Sequence, residues 1–202
     1  MDEAIILRGM EALSLVDKDI EKAFKTLGPP PPRSRPSGFE TFLSTIVGQQ
    51  LSTKVAAIIM QRVVALMVDV TPERLIEIED QALRDVGLSW RKIEYAKGLA
   101  IAIIDGSFNI QALNELSDEE AITEITKLKG FGRWSAEIYL MFSLNRENVF
   151  PADDLGILLG LAKLKGLAEK PTPKQAREMV SHWTSYKSVA SLFLWQYYHQ
   201  PK

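Results

Sequence analysis

The 202-residue chain predicts an all-α fold. Three observations carry that prediction. No stretch alternates apolar and polar residues at period two, the mark of a half-buried strand. Helix-start chemistry recurs instead: Thr71-Pro72, Ser89, Ser117-Asp118-Glu119-Glu120 and Thr172-Pro173 each set a hydroxyl at the start of a helical segment. Apolar residues then follow at the spacing of one helix face, as with Ile93, Ala96, Ala100 and Ile103.

Residues 1–27 carry Ile20, Ala23, Phe24 and Leu27 at helical spacing and stop at Gly28. Four prolines, Pro29 to Pro32, then bar helix and inner strand, so 28–38 is an extended crossing. Its Arg33 and Arg35 are either solvated linker charges or phosphate contacts. Residues 39–67 are helical with an interruption near Gly48-Gln49-Gln50. Thr71 caps a short helix with proline at its first position, and Gly87 ends the short helices there. Ser89 caps a helix over 90–104, which Gly106 stops. The Ser117 capping box, with acids in the first turn, opens the next helix. That helix leads into Leu128-Lys129-Gly130-Phe131-Gly132-Arg133, a hairpin so short that its tight positions call for glycine. The following helix starts near Trp134, and its N-terminal amides make a ready phosphate site. In Phe150-Pro151-Ala152-Asp153-Asp154 two adjacent carboxylates precede an apolar helix through Leu155, Leu158, Leu159 and Ala162. One can cap the backbone while the other faces a ligand. Thr172-Pro173 opens another helix, and an aromatic-rich one over 186–199 follows.

Composition narrows the class. With 46% hydrophobic and 25% charged residues the chain can bury a good core, and no apolar run approaches a membrane span. A signal-peptide pattern is missing at the N-terminus, which implies an intracellular protein. The absence of cysteine excludes disulfides, thiolate zinc sites and a cysteine-held iron–sulfur cluster. A net charge of −2 argues against nucleic-acid binding through bulk charge. A small footprint needs only a local cluster, however, and Lys127, Lys129 and Arg133 supply one at the hairpin. The expectation is a basic face on an acidic molecule, with affinity that falls steeply with salt.

The pattern Leu-x-Gly-Phe-Gly-x-x-x-Ala, with its alanine at 136, followed by Pro-x-Asp-Asp, resembles the helix-hairpin-helix DNA glycosylases. The segments FETFLSTIVGQQLSTKVAA (39–57) and WTSYKSVASLFLW (183–195) resemble the alkylpurine branch, the 3-methyladenine DNA glycosylase II family. The resemblance implies a two-lobed fold without an N-terminal β-domain or iron–sulfur cluster. Residues 1–37 with 145–202 would form a terminal lobe, and 38–144 a central lobe ending in the hairpin at 128–133. It also implies a monomer that acts on double-stranded DNA carrying alkylated bases and has no membrane association.

Residue by residue, the resemblance makes Asp154 the catalytic carboxylate, with Asp153 beside it in the base pocket, and Gln50 the wedge that fills the gap left by an extruded nucleotide. Trp134 and Tyr186 become pocket walls, and Gly130, Gly132, Lys129 and Arg133 the phosphate grip. No cofactor is required, but the main-chain carbonyls of Thr126, Leu128 and Phe131 match those that hold Na+ or K+ in such hairpins when DNA is bound. Family members that also cut the strand carry a lysine where this chain has Trp134, so the enzyme would be monofunctional, with water as nucleophile.

The chemistry fits. A carboxylate can steady a sugar with oxocarbenium character and orient water. The two histidines, His182 and His199, lie away from both motifs, so no general acid is evident for the leaving base. That suits 3-methyladenine or 7-methylguanine, whose ring is already cationic and is recognised by aromatic faces. Three other readings stay open: a glycosylase for neutral lesions such as ethenoadenine, hypoxanthine or uracil; a non-catalytic helix-hairpin-helix DNA-binding module; and a protein-binding helical domain.

Overall fold

The expected caps form, and they set the helix boundaries. In the computed structural model, which describes residues 1–200, Ser117 Oγ accepts the Glu120 amide at 3.4 Å while Glu120 Oε2 accepts the Ser117 amide at 2.9 Å. The hydroxyls of Thr71, Ser89 and Thr172 cap in the same way. The described residues hold α1 (Glu3–Val16), α2 (Lys18–Leu27), α3 (Phe39–Gly48), α4 (Thr53–Met67), α5 (Pro72–Glu77), α6 (Asp80–Asp85) and α7 (Trp90–Ile104). Then come α8 (Asp118–Thr126), α9 (Arg133–Phe142), α10 (Leu155–Lys165), α11 (Pro173–Met179) and α12 (Lys187–Tyr198), with two 3-10 turns and no strand. None of the described helices is long and apolar enough to cross a membrane.

The N-terminal stretch is two helices broken at one residue. Asp17 ends α1, and its side chain accepts the amides of Asp19 and Ile20 at 3.1 and 3.3 Å, capping α2.

Contacts divide the chain into two units, Met1–Arg35 with the stretch from Glu137 onward, and Pro36–Ala136. In the first unit α12 packs against α10 and α1, and α10 also meets α2. Two glycines set these distances: a side chain at Gly9 would strike Val189, and one at Gly160 would strike the Leu194 carbonyl. Ile6, Met10, Ile20, Leu161, Val189 and Phe193 fill this core. In the second unit α7 packs against α3, α5 and α6, and α3 against α4, over Leu43, Ile46, Val63, Leu75, Ile93 and Ala96.

Candidate functional site

The glycine hairpin belongs to the second unit, between α8 and α9. Its turn is closed by the Phe131 amide on the Leu128 carbonyl at 3.1 Å. Phe131 is buried, its ring edge-on to Phe42 of α3 at 5.4 Å, so one apolar side chain anchors the hairpin while the residues on either side stay near the surface. Gly130 has φ 89°, and a Cβ there would run into the ring of Tyr95. Gly132 differs from the sequence expectation. Its φ is not in the left-handed region, and apart from its own chain neighbours none of the described residues comes within 4 Å of a Cβ placed on it, so no packing contact demands glycine there.

The break between α3 and α4 is tied to this hairpin. Gln49 Nε2 donates to the Gly130 carbonyl at 2.7 Å, and Lys92 Nζ to the Val47 carbonyl at 2.7 Å, closing the C-terminus of α3. Gln50, the expected wedge, follows at φ 57° and is exposed. Sequence reasoning gave Gln49 no role; its long-range bond to the hairpin supplies one.

Each of the hairpin cations has an acidic partner. Lys127 pairs with Glu124 at 2.5 Å, Lys129 with Glu94 at 2.9 Å, and Arg133 with Glu119 through contacts of 2.6 and 3.0 Å. All three pairs are substantially exposed, so their partners can be exchanged at small cost. Trp134, in the first turn of α9, is 42% exposed. The carbonyls of Thr126, Leu128 and Phe131 are neutral oxygen donors, which suits a hard monovalent cation. The Leu128 carbonyl already accepts the Phe131 amide and keeps a second lone pair.

The acidic turn belongs to the first unit. Phe150, Pro151 and Ala152 are buried, with the Ala152 amide on the Phe150 carbonyl at 2.8 Å and the Asp154 amide on the Pro151 carbonyl at 3.0 Å. Asp154 is the N-cap of α10: Oδ1 accepts the Ile157 amide at 3.0 Å and also the indole Nε1 of Trp195 at 2.8 Å, and the residue is half-buried. Trp195 stacks on Phe142 with centroids 6.0 Å apart, and the Arg33 guanidinium lies over both rings, at 4.8 Å from Phe142 and 5.9 Å from Trp195. Gly156 leaves room for this arrangement, since a Cβ there would come within 3.0 Å of Trp195 Cδ1 and 3.2 Å of Asp154 Oδ1.

The structure shows which of the two aspartates takes the cap. The residue that caps is Asp154 itself, while Asp153 is held by Arg177 at 3.3 Å. The same guanidinium lies 3.6 Å from Glu137, a carboxylate only 2% exposed.

Tyr186, half-buried, donates its amide to the Trp183 carbonyl at 2.9 Å. Trp183 is fully buried, edge-on to Phe150 at 6.4 Å, and donates Nε1 to Asp17 Oδ2 at 2.8 Å. Asp17, 4% exposed, takes two 2.7 Å contacts from Lys165 Nζ and one of 3.2 Å from His182. Burial alone would raise its pKa; hydrogen bonds from Lys165 and Trp183 and the Lys165 charge outweigh that and hold it at about 2. The buried chain Asp17–Trp183–Phe150 thus supports both Tyr186 and the acidic turn.

Residues 43–185 match the model of the HhH-GPD superfamily base excision DNA repair proteins. The chain belongs to that superfamily. Among HhH-GPD relatives, DNA-3-methyladenine glycosylase 1 of Schizosaccharomyces pombe is 32% identical over 91% of this chain and 84% of its own length. The solved structure of the S. pombe 3-methyladenine DNA glycosylase in complex with abasic DNA superposes with TM-score 0.83 at 32% identity, covering 94% of this chain and 95% of that one. DNA-3-methyladenine glycosidase of Bacillus halodurans gives TM-score 0.87 at 31% identity, covering 95% and 89%.

Proposed function

We propose that this HhH-GPD protein is a monofunctional DNA glycosylase of base excision repair that hydrolyses the N-glycosidic bond of alkylated purines, 3-methyladenine and 7-methylguanine, and leaves an abasic site. The carrying observation is the half-buried Asp154 carboxylate, fixed at Oδ1 by the Ile157 amide and the Trp195 indole. The likeness along 91% of the chain to a relative named for 3-methyladenine supports the choice of lesion.

The duplex substrate is gripped at the hairpin, where the amides near Gly130 and Gly132 and the start of α9 face a phosphate. Gly132 supports this, because a glycine that the protein does not need for itself lets a DNA backbone approach closely. Lys129 and Arg133 exchange Glu94 and Glu119 for phosphate; exposed pairs of this kind are worth only about 0.2–1 kcal/mol. A monovalent cation on the carbonyls of Thr126, Leu128 and Phe131 would add positive charge at the same phosphate. Gln50 wedges into the duplex, and Gln49 braces it against the hairpin. Extrusion costs a few kcal/mol, least for a weakly stacked, damaged base.

Trp134 and Tyr186 each offer an aromatic face of the kind that recognises a cationic purine, worth roughly 0.5–2 kcal/mol. Asp153, paired with Arg177, would serve the same recognition. As the base departs, the Asp154 carboxylate steadies the sugar cation and orients the attacking water. With tryptophan at 134 no amine is placed to form a Schiff base, and the strand stays intact.

The test is a panel of duplexes carrying 3-methyladenine, 7-methylguanine, ethenoadenine, hypoxanthine or uracil, assayed for free base and for strand cleavage. Release of methylated purines with uncut strands is expected. Release of neutral lesions alone would replace the substrate class, and binding with no release from any duplex would reduce the protein to a DNA-binding module.

A further inference from the structure

The crossing segment that joins the two units carries two arginines for which the reaction above has no use. Residues 28–37 contain no helix, and prolines stand at 29–32 and at 36. Arg35 precedes Pro36, and a residue before proline is confined to extended conformations. Both backbones are pinned to the first unit: the Arg33 carbonyl accepts the Met1 amino group at 2.9 Å, and the Arg35 amide donates to the Phe142 carbonyl at 2.8 Å.

Their side chains are in an unusual state. The Arg33 guanidinium lies on Phe142 and Trp195. Protein packed about the Arg35 guanidinium, and then the like charge of Arg33, lower the Arg35 pKa, although both residues keep solvent-exposed surface. In the same unit Arg8, Lys165 and Arg177 each hold a carboxylate, whereas neither Arg33 nor Arg35 is ion-paired with one among the described residues. Both cations are thus anchored at Phe142, Arg33 over its ring and the Arg35 amide on its carbonyl, and an anion binding there would relieve the repulsion between them. A planar, always-charged fork on each side suits the tetrahedral oxygens of a phosphate.

We propose that Arg33 and Arg35 form a second phosphate-binding site, which takes a phosphodiester of the DNA strand carrying the damaged base. The position favours that strand: Arg33 covers the ring of Trp195, and the Trp195 indole is bonded to Asp154, so the anion sits next to the sugar undergoing reaction. This rests on the glycosylase reading for the source of the phosphate. The hairpin grip belongs to the other unit.

The test compares wild type, Arg35→Gln, Arg35→Lys and Arg33→Gln in binding a duplex with an abasic-site analogue across a salt series. Arg35→Gln is the primary variant because its side chain takes no part in the ring stack. Its Kd should rise about tenfold and the slope of log Kd against log salt should fall by about one, the signature of one lost phosphate contact, with unchanged thermal stability. Arg35→Lys should keep the slope. Wild-type affinity and slope in Arg35→Gln would overturn the site. Inorganic phosphate alone forms a second arm: if it stabilises wild type but not the Gln variants while the duplex slope is unmoved, the ligand is free phosphate and the DNA assignment is overturned. Base release by wild type is scored separately, so an active enzyme with an unmoved slope sinks this inference alone, and an inactive one sinks the glycosylase reading.

Discussion

Trp195 and Asp154 are joined by a 2.8 Å hydrogen bond from the indole Nε1 to Oδ1, the oxygen that also accepts the Ile157 amide. A helix cap alone would fix one lone pair of the carboxylate. The second donor fixes the rotation of the group, and with it the direction in which the carboxylate presents its charge. Trp195→Phe keeps an aromatic ring beside Phe142 and removes the N–H donor. Single-turnover base release at saturating enzyme should then slow about tenfold or more, in line with a hydrogen bond to a charged group, with duplex affinity unchanged.

Gly156 guards the same bond from the other side. In Gly156→Ala the new Cβ presses on Trp195 and on Asp154 Oδ1, which must shift by a few tenths of an ångström. Base release should fall in the same direction as in Trp195→Phe but by less, and indole fluorescence should report the displaced ring.

The two hairpin glycines separate folding from binding. Gly130→Ala combines a left-handed backbone with a clash against Tyr95 and should cost about 1–3 kcal/mol of stability. Gly132→Ala meets nothing within 4 Å, so its melting temperature should match wild type, while affinity for DNA falls because the phosphate approaches that surface. Unchanged affinity in Gly132→Ala would move the phosphate grip away from the hairpin.

Local chemistry was legible in the sequence and long-range chemistry was not. The caps at Ser117, Thr71, Ser89 and Thr172 involve partners three residues away, and each formed where the sequence placed it. Trp195 meets Asp154 across 41 residues, Gln49 meets Gly130 across 81, and Trp183 meets Asp17 across 166. None of these bonds leaves a spacing signal. The partner of Lys129 left no mark either, because Glu94 lies 35 residues earlier on another helix. Gly132 read both as a tight-turn residue and as part of the phosphate grip, because a glycine kept for an approaching ligand is indistinguishable in sequence from one kept for a turn.

Asp17 gives a pH signature. Its carboxyl ionises at about 2 in the folded protein against 3.8 as the ordinary value. Between about pH 4 and pH 2 the unfolded chain takes up a proton that the folded one refuses, so the stabilisation, about 2 kcal/mol, is present above that window and lost as pH falls through it. Thermal melts across this range should show the loss in wild type. In Asp17→Asn the curve should be flatter and the stability at neutral pH lower by about 3 kcal/mol, since Lys165 loses its buried partner.

The central claim is that Asp154 carries the chemistry, and the direct measurement is single-turnover release of 3-methyladenine or 7-methylguanine from a methylated duplex by wild type and by Asp154→Asn. The amide keeps an oxygen for the Ile157 amide and the Trp195 indole, so the cap persists while the charge is gone. Release should slow by about 10²–10⁴-fold with duplex affinity retained. Equal rates in the two proteins would contradict the account.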